Sequence, residues 1–214
     1  MSEPSPIEIL VATRNIGKVR EISDALSSLP VRLRHLDEFP MVTEVEETGT
    51  TYAANAALKA LRYSEQTGLY ALADDSGLEV DALGGIPGIF SNRFAGNGAS
   101  DQERIDKLLH LLSQKQDNNR SARFVCSMVF ARWLQATSHQ QSPETRVLHV
   151  SEGRCEGRIG TIGVGTNGFG FDPVFIPDGY DKSFGELDDQ TKAVISHRAK
   201  ALAKMREFLV SFLR

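Results

Sequence analysis

The hydrophobic pattern changes period several times along the chain. Residues 7–13 (IEILVAT) form a short run rich in β-branched side chains, which predicts a buried strand. Over residues 15–29 the apolar positions move to spacings of three and four: Ile16, Val19, Ile22, Leu26 and Leu29 share one face of an amphipathic helix. Pro30 stops that helix, and residues 31–36 read as a second strand. Residues 50–67 are Ala-rich and helical, with Leu58 and Leu61 inward; Gly68 ends the helix and residues 69–73 return to strand. Residues 101–112 predict another helix. Residues 123–133 alternate as a strand, with Phe124, Cys126, Met128 and Phe130 on one face, and 146–158 alternate β-branched with polar residues as its pairing partner. A glycine-rich loop covers 160–172. Ser196 caps a closing helix over 196–213 with Ala199, Leu202, Met205, Leu209 and Phe212 inward. Helices alternating with strands, then paired strands, predict a mixed α/β fold.

Composition narrows this picture. A chain of 214 residues, 41% hydrophobic, supports one sizeable core, or one domain with two lobes. Residues 1–6 read as a loose, disordered tail and 7–214 as a single domain. A net charge of −4 leaves no bulk basic field for long nucleic acid, while a small anionic ligand needs only a few local cations. Cys126 and Cys155 are the only cysteines, so a disulfide framework is not expected and a reducing compartment is the simpler reading. The start, MSEPSPIEILVAT, has neither a basic leader nor a long apolar segment, and no run approaches the ~18 apolar residues that span a bilayer. The expectation is a cytoplasmic protein without a membrane partner.

Four stretches carry candidate chemistry. TRNIGK (13–18) lies where a strand gives way to a helix; backbone N–H groups at a helix start, with Lys18 beside them, suit phosphate, although an ordinary turn with a solvated lysine explains the same letters. It is not a Walker A loop, because Ala12 and Val19 stand where Gly and Ser or Thr are needed. GVGTNG (163–168) matches the dinucleotide fingerprint, but the following FGFDPVFIPDG contains two prolines and cannot open a helix, so it reads as a flexible, ligand-covering loop. The acidic set is Glu46 and Glu47 in VEETG with Asp74 and Asp75, the latter pair closing an apolar strand. Adjacent carboxylates repel, and Mg²⁺ commonly binds through one or two carboxylates plus substrate phosphates. Finally, KAVISHRAKAL gathers Lys192, His197 and Arg198 around a helix start, as either a ligand-facing donor set or a solvated face.

Together these stretches resemble the inosine triphosphate pyrophosphatase family. VATRNIGKVREI, VEETGTTYAANAALKA, ALADDSGLEVDALGGIPGIFSNRFAG, GFGFDPVFIP and TKAVISHRAKAL occur in the family's order across residues 9–202, and ADDSGL with PGIFSNRFAG is the most diagnostic pair. The bacterial branch, acting on dITP, ITP and XTP, is the most similar. The resemblance implies an elongated mixed α/β fold, sheet flanked by helices, two lobes with a central substrate cleft, and a homodimer. It implies that Thr13, Arg14, Asn15, Ile16, Gly17 and Lys18 cradle the triphosphate. It makes Asp75 the catalytic carboxylate and a Mg²⁺ ligand with Glu46, adjacent Glu47 being the alternative. Ser76, Phe169, Gly170, Phe171, Asp172, Lys192, His197 and Arg198 become substrate contacts, the last two near the base. Three positions depart from the pattern. Arg14 replaces a common Gly and would be strained if φ there were positive. Phe171 replaces a common Tyr, keeping a ring and losing a hydroxyl. Ala54 replaces a common Glu, removing a carboxylate.

The implied reaction is hydrolysis between the α- and β-phosphates, removing deaminated purines from the nucleotide pool. A pyrophosphatase with another base preference and a non-catalytic nucleotide sensor are the rival expectations; retention of Asp75 speaks against the sensor.

Overall fold

A computed structural model of the protein describes residues 6–134 and 144–214; apart from Pro6, the tail expected at 1–6 lies outside them. The fold is mixed α/β, as the pattern predicts. Among the described residues six strands form one sheet in the order β2-β1-β3-β4-β5-β6, comprising β1 (Ile7–Val11), β2 (Val31–His35), β3 (Tyr70–Val80), β4 (Ser121–Leu134), β5 (Glu144–Ile159) and β6 (Phe175–Pro177). The helices are α1 (Ile16–Leu26), α2 (Tyr52–Thr67), α3 (Asp101–Ser113), α4 (Asp189–Ile195) and α5 (His197–Phe212). The expected pairing of β4 with β5 is present. The chain divides into two compact units: Met1–Asp75 with Ser127–Glu152 and Ala201–Arg214, and Ser76–Cys126 with Gly153–Lys200.

In the first unit β1 runs parallel to β2 and to β3, with Ile9, Leu10 and Val11 opposite Tyr70, Ala71 and Leu72. α1 starts where expected because the Asn15 side chain accepts the Lys18 N–H at 3.0 Å, an N-cap. Ile22 and Leu26 are buried, but Ile16 is 85% exposed. At ~100° per residue, Ile16 lies about 120° around the helix from Ile22, off the buried face. α2 likewise turns Ala56, Ala60 and Tyr63 inward and leaves Leu58 and Leu61 half-buried at its flanks. The alanines bring the helix close to Leu10, Ala71, Ala73, Val129 and Ala131 of the sheet. Gly68 closes α2 with φ +71°, a left-handed cap.

The second unit has its own core of Leu78, Val80, Ile105, Leu108, Phe124, Phe175 and Phe184, among others. α3 is started by a reciprocal capping box between Ser100 and Glu103. β6 adds antiparallel to the end of β5. α4, which the pattern did not predict, begins at the cap Asp188, and Ser196 both ends α4 and accepts the Ala199 N–H at 3.1 Å to start α5.

β3 differs from expectation in length. It does not stop at Ala73 but runs through Asp74, Asp75, Ser76 and Gly77 to Val80. Charge ended the predicted strand, whereas burial of Leu78 and Val80 carries the real one onward. β1 stops at Val11, so the two aspartates lie past the end of their parallel neighbour.

Candidate active site

The first unit holds the acidic set. Asp74 and Asp75 are 0% and 5% exposed. Each faces a lysine from a different helix: Lys18 Nζ of α1 is 3.0 Å from Asp74 Oδ2, and Lys59 Nζ of α2 is 3.9 Å from Asp75 Oδ1. The same Lys59 ammonium is 2.6 Å from Glu47 Oε1. Asn55, one turn before Lys59 on α2 and fully buried, donates to Asp75 Oδ2 at 3.0 Å and accepts the Gly49 N–H at 2.7 Å. Asp75 is therefore held by an amide, faced by an ammonium and neighboured by a second carboxylate.

The electrostatics follow. Burial pushes the Asp75 carboxyl above the usual carboxylate range; Glu47 pushes the same way, and Lys59, Asn55 and Lys18 pull back without cancelling the shift. For Lys59, burial opposes the charge, but Asp74, Asp75 and Glu47 outweigh it and hold the ammonium above the ordinary lysine value.

Glu47 rather than Glu46 is the member of VEETG beside Asp75's lysine; Glu46 is exposed. Among the described residues no three His, Cys, Asp or Glu side chains converge as a metal cage. The oxygen donors of Asp75 and Glu47, sharing one ammonium, nevertheless fit a hard divalent cation completed by waters and phosphate oxygens.

The TRNIGK segment is ordered by its own side chains: Thr13 Oγ1 accepts the Asn15 N–H at 3.2 Å, and Asn15 accepts that of Lys18. The N–H groups of Ile16 and Gly17 open α1, where no preceding carbonyl of the helix can reach them. Arg14 is unstrained, since no described non-glycine residue has positive φ; its side chain is half-exposed and pairs with Asp37 at 3.3 Å.

The second unit gathers the other predicted residues. Arg198, 2% exposed, donates to Ser76 Oγ at 2.8 Å. Lys192 Nζ sits 2.7 Å from Asp172 Oδ2, which also accepts the Phe169 N–H at 2.8 Å. The half-buried Phe169 ring has two cations over it, Lys192 at 4.8 Å and Arg198 at 5.5 Å from its centroid. His197 stacks on Phe124 at 4.6 Å. Phe171 is 4% exposed and packed in the core, whereas Phe169 of the same segment is only half-buried.

The 160–172 loop is pinned. Gly160 and Val164 N–H donate to Val174 and Pro173 carbonyls at 2.7 and 2.8 Å, and Asn167 N–H to Gly185 at 2.9 Å. Gly168 has φ +76°, and a Cβ there would lie 2.0 Å from Asp172 Oδ2. The last glycine of the apparent dinucleotide fingerprint is thus required by the Asp172–Lys192 pair. Sequence reading missed Asn55 and Lys59; their signal was a polar pair four residues apart on an otherwise Ala-rich face.

Fold and site together define a mixed α/β protein with a buried carboxylate–lysine group at the end of a parallel strand pair. The chain belongs to the Ham1 family, matched over residues 9–208. It is 45% identical to a dITP/XTP pyrophosphatase of Desulforamulus reducens, covering 95% of this chain and 96% of that one. It is 46% identical to the dITP/XTP pyrophosphatase of Vibrio parahaemolyticus, covering 92% and 94%. A solved HAM1 protein from Coxiella burnetii superposes with a TM-score of 0.82 at 39% identity, covering 96% of this chain and 99% of that one. A nucleoside-triphosphatase / dITP/XTP pyrophosphatase from Mycobacterium abscessus gives 0.70 at 40% identity, covering 93% and 98%.

Proposed function

We propose that this protein hydrolyses dITP, ITP and XTP to the monophosphate and pyrophosphate, clearing deaminated purines from the nucleotide pool. The observation that carries the reading is the Asp75 group, a buried carboxylate with a raised pKa held by Asn55 and Lys59 beside Glu47. The names of the relatives supply the substrate class. The family match runs through both units, which supports treating 7–214 as one functional domain. No helix among the described residues is long and apolar enough to cross a membrane. A cytoplasmic location and a homodimeric assembly belong to the same proposed reading.

Asp75 and Glu47 would hold Mg²⁺, which when bound supplies a Lewis acid for the phosphate oxygens. Lys18 and the Ile16 and Gly17 N–H groups grip the outer phosphates, so that pyrophosphate leaves intact. Asp75, its proton affinity raised by burial, accepts a proton from the attacking water. Phe169 offers the purine a face. His197 and Arg198 present donors that match a 6-oxo group and leave adenine's 6-amino group facing a donor. One such mismatch costs ~1–3 kcal/mol, roughly ten- to a hundredfold in preference.

The test is turnover of dITP, ITP, XTP, ATP, GTP and dUTP with Mg²⁺ in ¹⁸O-labelled water. The label is expected in the monophosphate, with pyrophosphate as co-product and the deaminated purines fastest. Label appearing first in orthophosphate would overturn the bond assignment, and a pyrimidine turned over fastest would overturn the substrate class.

A further inference from the structure

Asp101 opens α3, and its two carboxylate oxygens face different partners. Oδ1 receives an amino group of Arg104, one turn along the helix. Oδ2 accepts the backbone N–H of Gly170 at 2.7 Å, across a separation of 69 residues. The other amino group of Arg104 donates to the Asn92 carbonyl at 2.9 Å and the Ala99 carbonyl at 2.6 Å. The guanidinium therefore ties down the FSNRFAG stretch and fixes the carboxylate's orientation with the same side chain. Further along the helix, Lys107 donates to the Phe94 carbonyl at 2.6 Å, and the Phe94 ring meets Phe171 edge-on at 6.3 Å.

These contacts converge on the residue after Phe169. Gly170 has φ +65° and no side chain of its own to hold it. Both N–H groups of the Phe169–Gly170 pair are fastened by carboxylates, that of Phe169 by Asp172 and that of Gly170 by Asp101. Hydrogen bonds to an ionised acceptor are roughly twice as strong as neutral ones. We propose that Asp101, oriented by Arg104, is a positioning residue that presets the Phe169 ring for the purine base. Because the ring is placed before substrate arrives, binding does not bear the cost of ordering the loop. This inference rests on the reading of Phe169 as the base platform.

The test uses the full chain, with inosine monophosphate and pyrophosphate as probes in titration calorimetry. In Asp101→Ala, affinity for inosine monophosphate should fall about tenfold, as expected for loss of one charge-assisted hydrogen bond, with affinity for pyrophosphate unchanged within about twofold. In Asp101→Asn the amide oxygen still accepts the Gly170 N–H, so the loss should shrink to about threefold. KM for dITP should follow the monophosphate while kcat holds. Amide exchange at Gly170 should quicken in the Ala variant without any ligand. Equal losses for both probes, or none, would overturn the proposal; should the Ala variant fail to fold, the Asn variant applies the same criterion. If the parent fails to turn over any deaminated purine triphosphate, the base reading itself falls, and the Gly170 exchange rate still decides separately whether Asp101 anchors the loop.

Discussion

Asp75 carries a charge that its surroundings both want and resist. Lys59 and Asn55 favour the carboxylate; burial and Glu47 favour the acid, and they prevail. The sign of the pH effect follows. The folded chain holds this proton to a higher pH than the unfolded chain, so stability is lost as pH rises from the ordinary carboxylate value through the raised one. Asp75→Asn, which cannot ionise, escapes that loss. Its melting temperature should match the parent's near pH ~3.5 and equal or exceed it at pH ~7, while turnover collapses by about a thousandfold or more. A melting temperature that falls furthest at neutral pH would show the charge to be stabilising, and turnover within a few-fold of the parent would remove Asp75 from catalysis. At this scale the sequence was informative where chemistry is crowded into neighbouring letters, as in Asp74–Asp75. It was silent on Asn55, because an asparagine in an Ala-rich helix declares its role only when the strand it faces is in place.

Elements show why a local pattern can be right about type and wrong about extent. α1, α2, α3 and α5 were legible from their spacing and caps, and Gly68 from its position at the end of α2. β3 was cut short because charges look like a strand's end; its continuation depends on burial that only the folded chain reveals. The 160–172 loop read as flexible because glycines are permissive, yet two of them, Gly165 and Gly168, answer close approaches, a Cβ on either falling 2.0 Å from its neighbour. Gly168→Ala tests this. The substitution forces a left-handed conformation costing ~1–2 kcal/mol and drives a methyl group into the Asp172 carboxylate. The Asp172–Lys192 pair and the Phe169 N–H bond must then shift. We expect a destabilisation of about 2 kcal/mol or more by chemical denaturation. KM for dITP should rise at least several-fold. A variant as stable as the parent would mean that the loop has room to relax.

For the whole molecule, a net charge of −4 conceals a local balance that governs how the protein responds to metal. In the first unit Asp74, Asp75 and Glu47 face Lys18 and Lys59, three carboxylates against two ammonium groups, a formal excess of one negative charge. The lysines already offset most of the repulsion that a buried acidic cluster would otherwise carry, so folding should not depend on a divalent ion. Activity should, because a triphosphate brings more negative charge than Lys18 and the α1 N–H groups offset. Chelation is therefore expected to separate the two properties. Excess EDTA should abolish dITP hydrolysis while shifting the melting temperature by less than about 2 °C, a change of no more than about 1 kcal/mol for a chain of this size. Mg²⁺ alone should stabilise the protein little, since it must displace or share Lys59's partners. Mg²⁺ and inosine monophosphate with pyrophosphate together should raise the melting temperature by several degrees, through mass action on the folded state. A large fall in melting temperature on chelation would show that the acidic set needs the ion to fold, and that Lys18 and Lys59 do not suffice to neutralise it. Undiminished turnover in EDTA would remove the metal from the proposed reaction altogether.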